Sequence, residues 1–203
     1  MNRLYTNGSR TGLLKGSSPE TIIWRKVMDL GIIQNKIQFP VTAYVKENGF
    51  LGMVSYDEEN DLLFVTTKSN PEGDAAVWLR QNLQGLYKDK LNDMREFLRK
   101  NDVTLVFECV DMVHDPHVIE YPENRLYLLD IVYNKINFEK YRYSDMIKVA
   151  DSLGLRHKEL AYRIENWQDF YDWYFEVTNE DYLYRGTHIE GFVIEDANGY
   201  MLK

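Results

Sequence analysis

The sequence predicts an α+β fold with a mainly antiparallel sheet, and three observations carry that prediction. Short segments of alternating apolar and polar residues, at 41–46, 50–56 and 62–68, follow one another across tight polar turns. Asn-Gly pairs, the strongest short hairpin signal, stand at Asn48–Gly49 and Asn198–Gly199. Strand-like and helix-like stretches are mixed without the regular βαβ rhythm of a parallel sheet.

Residues 1–20 read as irregular, with Gly8, Gly12, Gly16 and Ser17–Ser18 ahead of Pro19. A short helix is expected over 21–30, ended by Gly31. Pro40 opens a strand in which Val41, Ala43 and Val45 take one face and Thr42, Tyr44 and Lys46 the other. Strands at 50–56 and 62–68 follow, joined by Asp57-Glu58-Glu59-Asn60. Residues 75–100 read as one long amphipathic helix whose apolar side carries Val77, Leu83, Leu86, Leu91, Met94 and Leu98. A strand at 103–113 and a loop with Pro116 and Pro122 lead to a strand at Arg125–Tyr133. Helices are expected at Tyr143–Leu153 and at 166–177, the second capped by Asn166. The chain closes in a hairpin, 189–195 and 200–203. A two-residue turn at Asn198–Gly199 pairs Ala197 with Tyr200 and Ile194 with Lys203, which sets Lys203 on the face of Glu190.

A length of 203 residues suits a single domain spanning 1–203. The net charge of -8 argues against broad, non-specific coating of nucleic acid, which is driven by phosphate neutralisation. It leaves room for a local basic groove or an acidic metal site. Aromatics at 14%, with 15 Tyr, suit strands and flat stacking surfaces. Cys109 is the single cysteine, which excludes an intramolecular disulfide and a Cys-rich zinc site and fits a reducing cytoplasm. The polar, glycine-dotted start does not read as a signal peptide, and no apolar run is long enough to span a bilayer.

Several side chains are candidates for chemistry. Lys46 closes a strand and precedes Glu47-Asn48-Gly49, so a rigid element holds an amine beside an exposed turn. Such a lysine is either a nucleophile activated by desolvation or nearby cations, with Lys68 and Lys203 as suppliers, or an ordinary hairpin lysine. Glu108 lies between Val106 and Val110 on one strand face; it is either solvent-facing or a functional carboxylate in a pocket. Glu190 shares a face with Phe192 and Ile194, where it either clasps a phosphate with Mg²⁺ or forms a surface ion pair with Lys203. His114-Asp115-Pro116-His117 lacks metal-ligand spacing and reads as a loop with ordinary histidines. The cluster Trp167, Phe170, Tyr171, Trp173, Tyr174 and Phe175 reads as core, and Arg95, Arg99 and Lys100 as a solvated helix face.

Taken together, six of these segments resemble the ordered motifs of covalent nucleotidyltransferases. Lys46-Glu47-Asn48-Gly49 is similar to K-x-(D/N)-G, and Thr66-Thr67-Lys68-Ser69 to the Ser/Thr-Lys motif that follows. Phe107-Glu108 resembles F-E on a central strand, and Arg125-Leu126-Tyr127-Leu128 the next strand motif. Glu190-Gly191-Phe192-Val193-Ile194 resembles E-G-(hydrophobic)-V, and Lys203 stands where K-x-K begins. The spacing is most similar to RNA ligases of the phage RNA ligase 1 type and to fungal tRNA ligases.

The resemblance implies an antiparallel-sheet nucleotidyltransferase core, ATP-grasp-like, with flanking helices. It implies an ATP-dependent RNA ligase that uses ATP and Mg²⁺ to join 5′-phosphate and 3′-hydroxyl RNA ends in RNA repair or tRNA splicing. Lys46 would carry AMP covalently. Val45, Glu47, Asn48, Gly49, Lys68, Glu108, Tyr127 and Lys203 would bind the nucleotide, and Glu190 and Glu108 the metal. A monomer without membrane attachment is expected. Because K-x-K and a further C-terminal domain would extend past residue 203, the resemblance also implies a truncated or minimal core. A binding module without chemistry and a capping-type guanylyltransferase are the alternatives.

Overall fold

The computed structural model describes residues 30–68, 70–116 and 119–203. The expected irregular start and most of the helix at 21–30 therefore lie outside the described residues, as do Ser69 and His117. The chain divides into two compact units: Met1–Lys46 with Glu159–Lys203, and Glu47–Lys158. Both are sheet-based and almost wholly antiparallel, so the α+β prediction holds; the strands Arg125–Tyr133 and Arg156–His157 form the parallel pair.

In the first unit, β1 (Val41–Lys46), β7 (Leu160–Ile164), β8 (Gly191–Glu195) and β9 (Met201–Leu202) form a sheet in the order β7-β1-β8-β9. Val41, Ala43 and Val45 of β1 are buried as the alternation requires, and Tyr44 is buried as well. A register shift against β7 falls between Ala43 and Tyr44. The helix Trp167–Val177 (here α4) drives Phe170 and Trp173 into this core with Phe192 and Ile194. Asn166 caps it, its side chain accepting from the Asp169 N–H at 3.0 Å. The aromatic cluster is thus core, with Tyr171 turned outward. Residues 30–34 are helical, so Gly31 lies inside the helix and does not end it. A Cβ at Gly31 would meet nothing within 4 Å, and Leu30 and Ile33 anchor the turn in the core.

The terminal hairpin departs from the expected register. Its loop has three residues: the Asp196 N–H donates to the Tyr200 carbonyl, and Gly199 takes φ +79°. The Asp196 carboxylate accepts from the N–H groups of Gln38, Asn198 and Tyr200 and fixes this turn. Ile194 therefore pairs with Leu202, not Lys203, and Leu202 joins the core. A one-residue slip would have exposed Leu202 and turned a lysine inward. By the same alternation Lys203 does not project on the face of Ile194 and Phe192.

In the second unit, β2 (Phe50–Asp57), β3 (Leu62–Thr67), β4 (Val103–Val110), β5 (Arg125–Tyr133) and β6 (Arg156–His157) are ordered β3-β2-β4-β5-β6. Helices α1 (Asp74–Tyr87), α2 (Leu91–Asn101) and α3 (Tyr143–Leu153) accompany it. The expected single helix over 75–100 is broken by a one-turn 3-10 segment, Lys88–Lys90. That Lys-Asp-Lys triplet buries nothing, so the apolar stripe has no continuity there. The buried face of α1 is Ala76, Leu79 and Leu83, while Val77 and Leu86 are exposed. The strand expected to run to 113 ends at Val110, because the Asp111 carboxylate captures the Val113 and His114 N–H groups and turns the chain. The strands β6 and β7 were not expected from the sequence.

Candidate active site

Within the first unit, Lys46 is the last residue of β1 and pairs in register with Gly191, the first of β8. This brings Glu190 beside it, and the Lys46 Nζ donates to Glu190 Oε2 as a close ion pair. Gly191 has φ +149°, a backbone state that favours glycine, and it carries the chain from Glu190 into the strand. Lys46 is 22% exposed at its side chain and Glu190 36%, so the pair is shielded on one side and open on the other. Behind it, the Val45 N–H donates to the Glu159 carbonyl, which fixes the end of β1 between two strands. The expected partner of Glu190, Lys203, is replaced by Lys46.

Within the second unit, Glu47, Asn48 and Gly49 form the approach to β2. Gly49 is required by the chain itself: a Cβ there would stand 2.1 Å from the Cys109 carbonyl oxygen of β4. That close approach lets the Gly49 N–H donate to Glu108 Oε1 at 3.0 Å. Glu108 is half-buried, and this bond gives its carboxylate a fixed orientation.

Tyr121, which no sequence pattern indicated, completes the loop. Its hydroxyl accepts from the Asn48 N–H at 3.0 Å and donates to Glu47 Oε2 at 2.9 Å. Burial pushes the Tyr121 phenol up, although the Asn48 N–H favours the phenolate; the neighbouring Glu47 carboxylate reinforces the rise. The phenol therefore stays a donor at every ordinary pH.

Tyr127 stands opposite Glu108 in the β4–β5 pair, as Leu51 does in the β2–β4 pair. Its hydroxyl accepts from Arg125 Nη1 at 3.2 Å. Burial raises the Tyr127 phenol, against the pull of Arg125. Leu51, Met53, Thr66, Glu108 and Tyr127 share one sheet face by register. The opposite face is closed by α1, where a Cβ at Gly52 would meet Leu79 at 2.5 Å. Lys68 follows Thr66 by two residues and is exposed. The His114 Nδ1 lies 3.0 Å from Asp111 Oδ2 and its ring stacks on Trp78. Arg95 pairs with Asp61 and Arg99 with Glu96, consistent with a solvated helix face.

Among the described residues no three His, Cys, Asp or Glu side chains gather as a protein cage for a metal. Magnesium does not need one, since it is usually bound by one or two carboxylates together with substrate phosphates and water. The open side of the Glu190 carboxylate fits that requirement. No helix among the described residues is long and apolar enough to cross a membrane.

Comparison with known proteins gives this geometry a family. A tRNA ligase from Candida albicans is 28% identical over 109 residues, which are 53% of this chain and 13% of that protein. An archaeal ATP-dependent RNA ligase superposes with a TM-score of 0.56 at 13% identity, over 84% of this chain and 43% of the other. An RNA ligase from Naegleria gruberi gives 0.57 at 14% identity, over 86% and 51%. At those identities the two structures establish the fold, and the chain spans about half of their length or less. The family model described as RNA ligase matches residues 26–203, and the chain belongs to that RNA ligase family.

Proposed function

We propose that this chain is the adenylylating domain, residues 1–203, of an ATP-dependent RNA ligase that joins 5′-phosphate and 3′-hydroxyl RNA ends. The observation that carries the reading is the pairing of Lys46 with Glu190, 144 residues apart, at the two motif positions where the chemistry needs a nucleophile and a carboxylate.

In the first step the Lys46 Nζ forms a bond to the α-phosphorus of ATP while the bond to the bridging oxygen breaks and pyrophosphate leaves. Attack needs the lone pair on Nζ, and Glu190 Oε2 is the acceptor within reach of its proton. Val45, Glu47, Asn48, Gly49, Glu108, Lys68 and Tyr127 bind the nucleotide, and Lys203 is a further cation. Tyr127 is the contact for the base. Glu190, with Glu108, would hold Mg²⁺, which supplies charge neutralisation on the phosphates when bound. In the second step the 5′-phosphate of RNA takes AMP from the lysine; in the third the 3′-hydroxyl attacks that phosphate and AMP leaves.

RNA repair or tRNA splicing is the setting this chemistry serves. The buried, solitary Cys109 suits a reducing cytoplasm, and a monomer is the proposed state.

The test is incubation with labelled ATP or GTP and Mg²⁺, read as acid-resistant label on the protein. ATP labels the wild type and Lys46→Ala abolishes the label. Label that persists in Lys46→Ala removes Lys46 as the nucleophile. ATP bound without pyrophosphate release replaces the ligase with a binding module, and preference for GTP replaces it with a capping-type enzyme.

A further inference from the structure

We propose that Arg185 is a phosphate-contacting residue that reads a phosphate other than the one Lys46 attacks: the β- or γ-phosphate of the nucleotide, or the 5′-phosphate of the RNA end. The assignment of which phosphate rests on the ligase reading above; the contact itself rests on the first unit alone.

Arg185 occupies the tip of a two-residue turn. Tyr184 and Thr187 exchange both backbone hydrogen bonds at 3.0 Å, leaving Arg185 and Gly186 as the central pair. Their φ values are +50° and +80°, the signs a type I′ turn requires. Asn, Asp and Gly are favoured at the first position of such a turn, and a long side chain there is held against its preference. Of the three non-glycine residues at positive φ among the described residues, Arg185 is the cationic one; Asp61 and Asp102 are the others.

The guanidinium is oriented before any ligand arrives. Arg185 Nη1 donates to Glu159 Oε1 at 2.8 Å, and the guanidinium carbon lies 5.1 Å from the centre of the Tyr184 ring. The Tyr184 hydroxyl also donates to Glu159 Oε1, at 2.7 Å, so a buried tyrosine locks the carboxylate that locks the arginine. The Arg185 side chain is still 72% exposed, which leaves its remaining N–H donors facing outward. A planar fork of this kind matches a phosphate in two places at once.

Its position in the unit links it to the nucleophile. The Glu159 that holds Arg185 accepts, through its carbonyl, from the N–H of Val45, the residue before Lys46. The same stretch of chain continues from this turn to Glu190, the partner of Lys46. Lys203, the cation expected at Glu190, is turned off that face by the hairpin register. Arg185 supplies an oriented cation in the same unit.

The experiment measures equilibrium binding rather than activity. ATP is compared with AMP, and a 5′-phosphorylated RNA oligonucleotide with its 5′-hydroxyl counterpart, on wild type, Arg185→Asn and Arg185→Lys. Arg185→Asn creates Asn-Gly, the pair this turn prefers, so loss of fold is not a confounder. The wild type is expected to bind at least one phosphate-bearing ligand more tightly than its partner. Arg185→Asn is expected to reduce that preference about tenfold, with AMP and 5′-hydroxyl RNA unchanged, and Arg185→Lys to restore part of it. The contrast that collapses identifies the phosphate. A preference that persists undiminished in Arg185→Asn overturns the proposal, as does a wild type with neither preference. A wild type that shows the contrasts yet never forms lysyl-AMP overturns the ligase reading and leaves the phosphate contact standing.

Discussion

Lys46 and Glu190 meet across the β1–β8 pair because Lys46 stands opposite Gly191, the residue that follows Glu190. With side chains 22% and 36% exposed, the pair has the solvent access of a surface ion pair, whose contribution to stability is about 0–1 kcal/mol. A chemical role predicts a different scale. Glu190→Gln is expected to change the unfolding free energy by less than about 1 kcal/mol while slowing AMP transfer to Lys46 by about 10²-fold or more. Denaturant unfolding and quenched labelling measure the two. A variant that is several kcal/mol less stable yet labels at the wild-type rate makes the pair a structural one.

On the proposed reading, Tyr121 is a positioning residue for the loop that follows Lys46. It joins the Asn48 N–H to the Glu47 carboxylate through a single hydroxyl. Tyr121→Phe keeps the ring and removes both bonds, at a cost of about 1–2 kcal/mol. Labelling of Lys46 is expected to slow about tenfold, a loss of order 1.4 kcal/mol in the barrier. A stability loss alone, with the labelling rate and ATP dependence unchanged, reduces Tyr121 to a loop staple.

Much of the fold was legible in the sequence where one local rule acts alone. Arg125–Tyr133 and Tyr143–Leu153 read to their observed bounds, and Asn166 caps α4 as its side chain predicts. The errors arose where two rules compete. At the terminal hairpin the Asn-Gly signal argues for a two-residue turn, but burial of Leu202 and the Asp196 carboxylate select three. Along 75–100 helix propensity is continuous, while the polar triplet Lys88–Lys90 has nothing to bury and lets the helix break. The strand β6 has two residues and is defined by its parallel partner β5, which no pattern within Arg156–His157 encodes. For the site, Lys46 and Glu190 were legible as motif positions. Tyr121 was not, because it lies in an irregular loop and acts through one hydroxyl. Arg185 was not, because Arg-Gly is no turn signal and its φ is imposed by the surrounding chain.

Alkaline pH is expected to weaken the first unit through Tyr184. Burial pushes its phenol up from 10.0 to about 12, and the bond to Glu159 adds to the rise. The folded-state value is therefore the higher one. Its contribution is complete below about pH 10, where the unfolded phenol is still protonated, and declines as pH rises from 10 towards 12. Tyr184→Phe should flatten the fall in stability over that window relative to wild type. Denaturation midpoints at about pH 8, 10 and 11 read the difference; parallel curves for the two proteins would remove Tyr184 as the source.

Two glycines of the second unit should respond to alanine in opposite directions. Gly49 sits where a Cβ would lie 2.1 Å from the Cys109 carbonyl oxygen and 2.7 Å from its carbon, both backbone atoms of β4 that cannot rotate away. Gly49→Ala must push the loop off β4 and break the Gly49–Glu108 bond, at about 2 kcal/mol or more. Gly85 lies inside α1 and a Cβ there meets nothing within 4 Å. Gly85→Ala removes unfolded-state freedom and adds helix propensity, so it should stabilise by about 0.5–1 kcal/mol. If loop geometry at Gly49 also orients Glu108 for nucleotide, Gly49→Ala loses ATP affinity even at temperatures where it remains folded. Combining it with Gly85→Ala should restore the melting temperature and leave that affinity low. Affinity that recovers together with stability would show that Gly49 serves the fold and not the site.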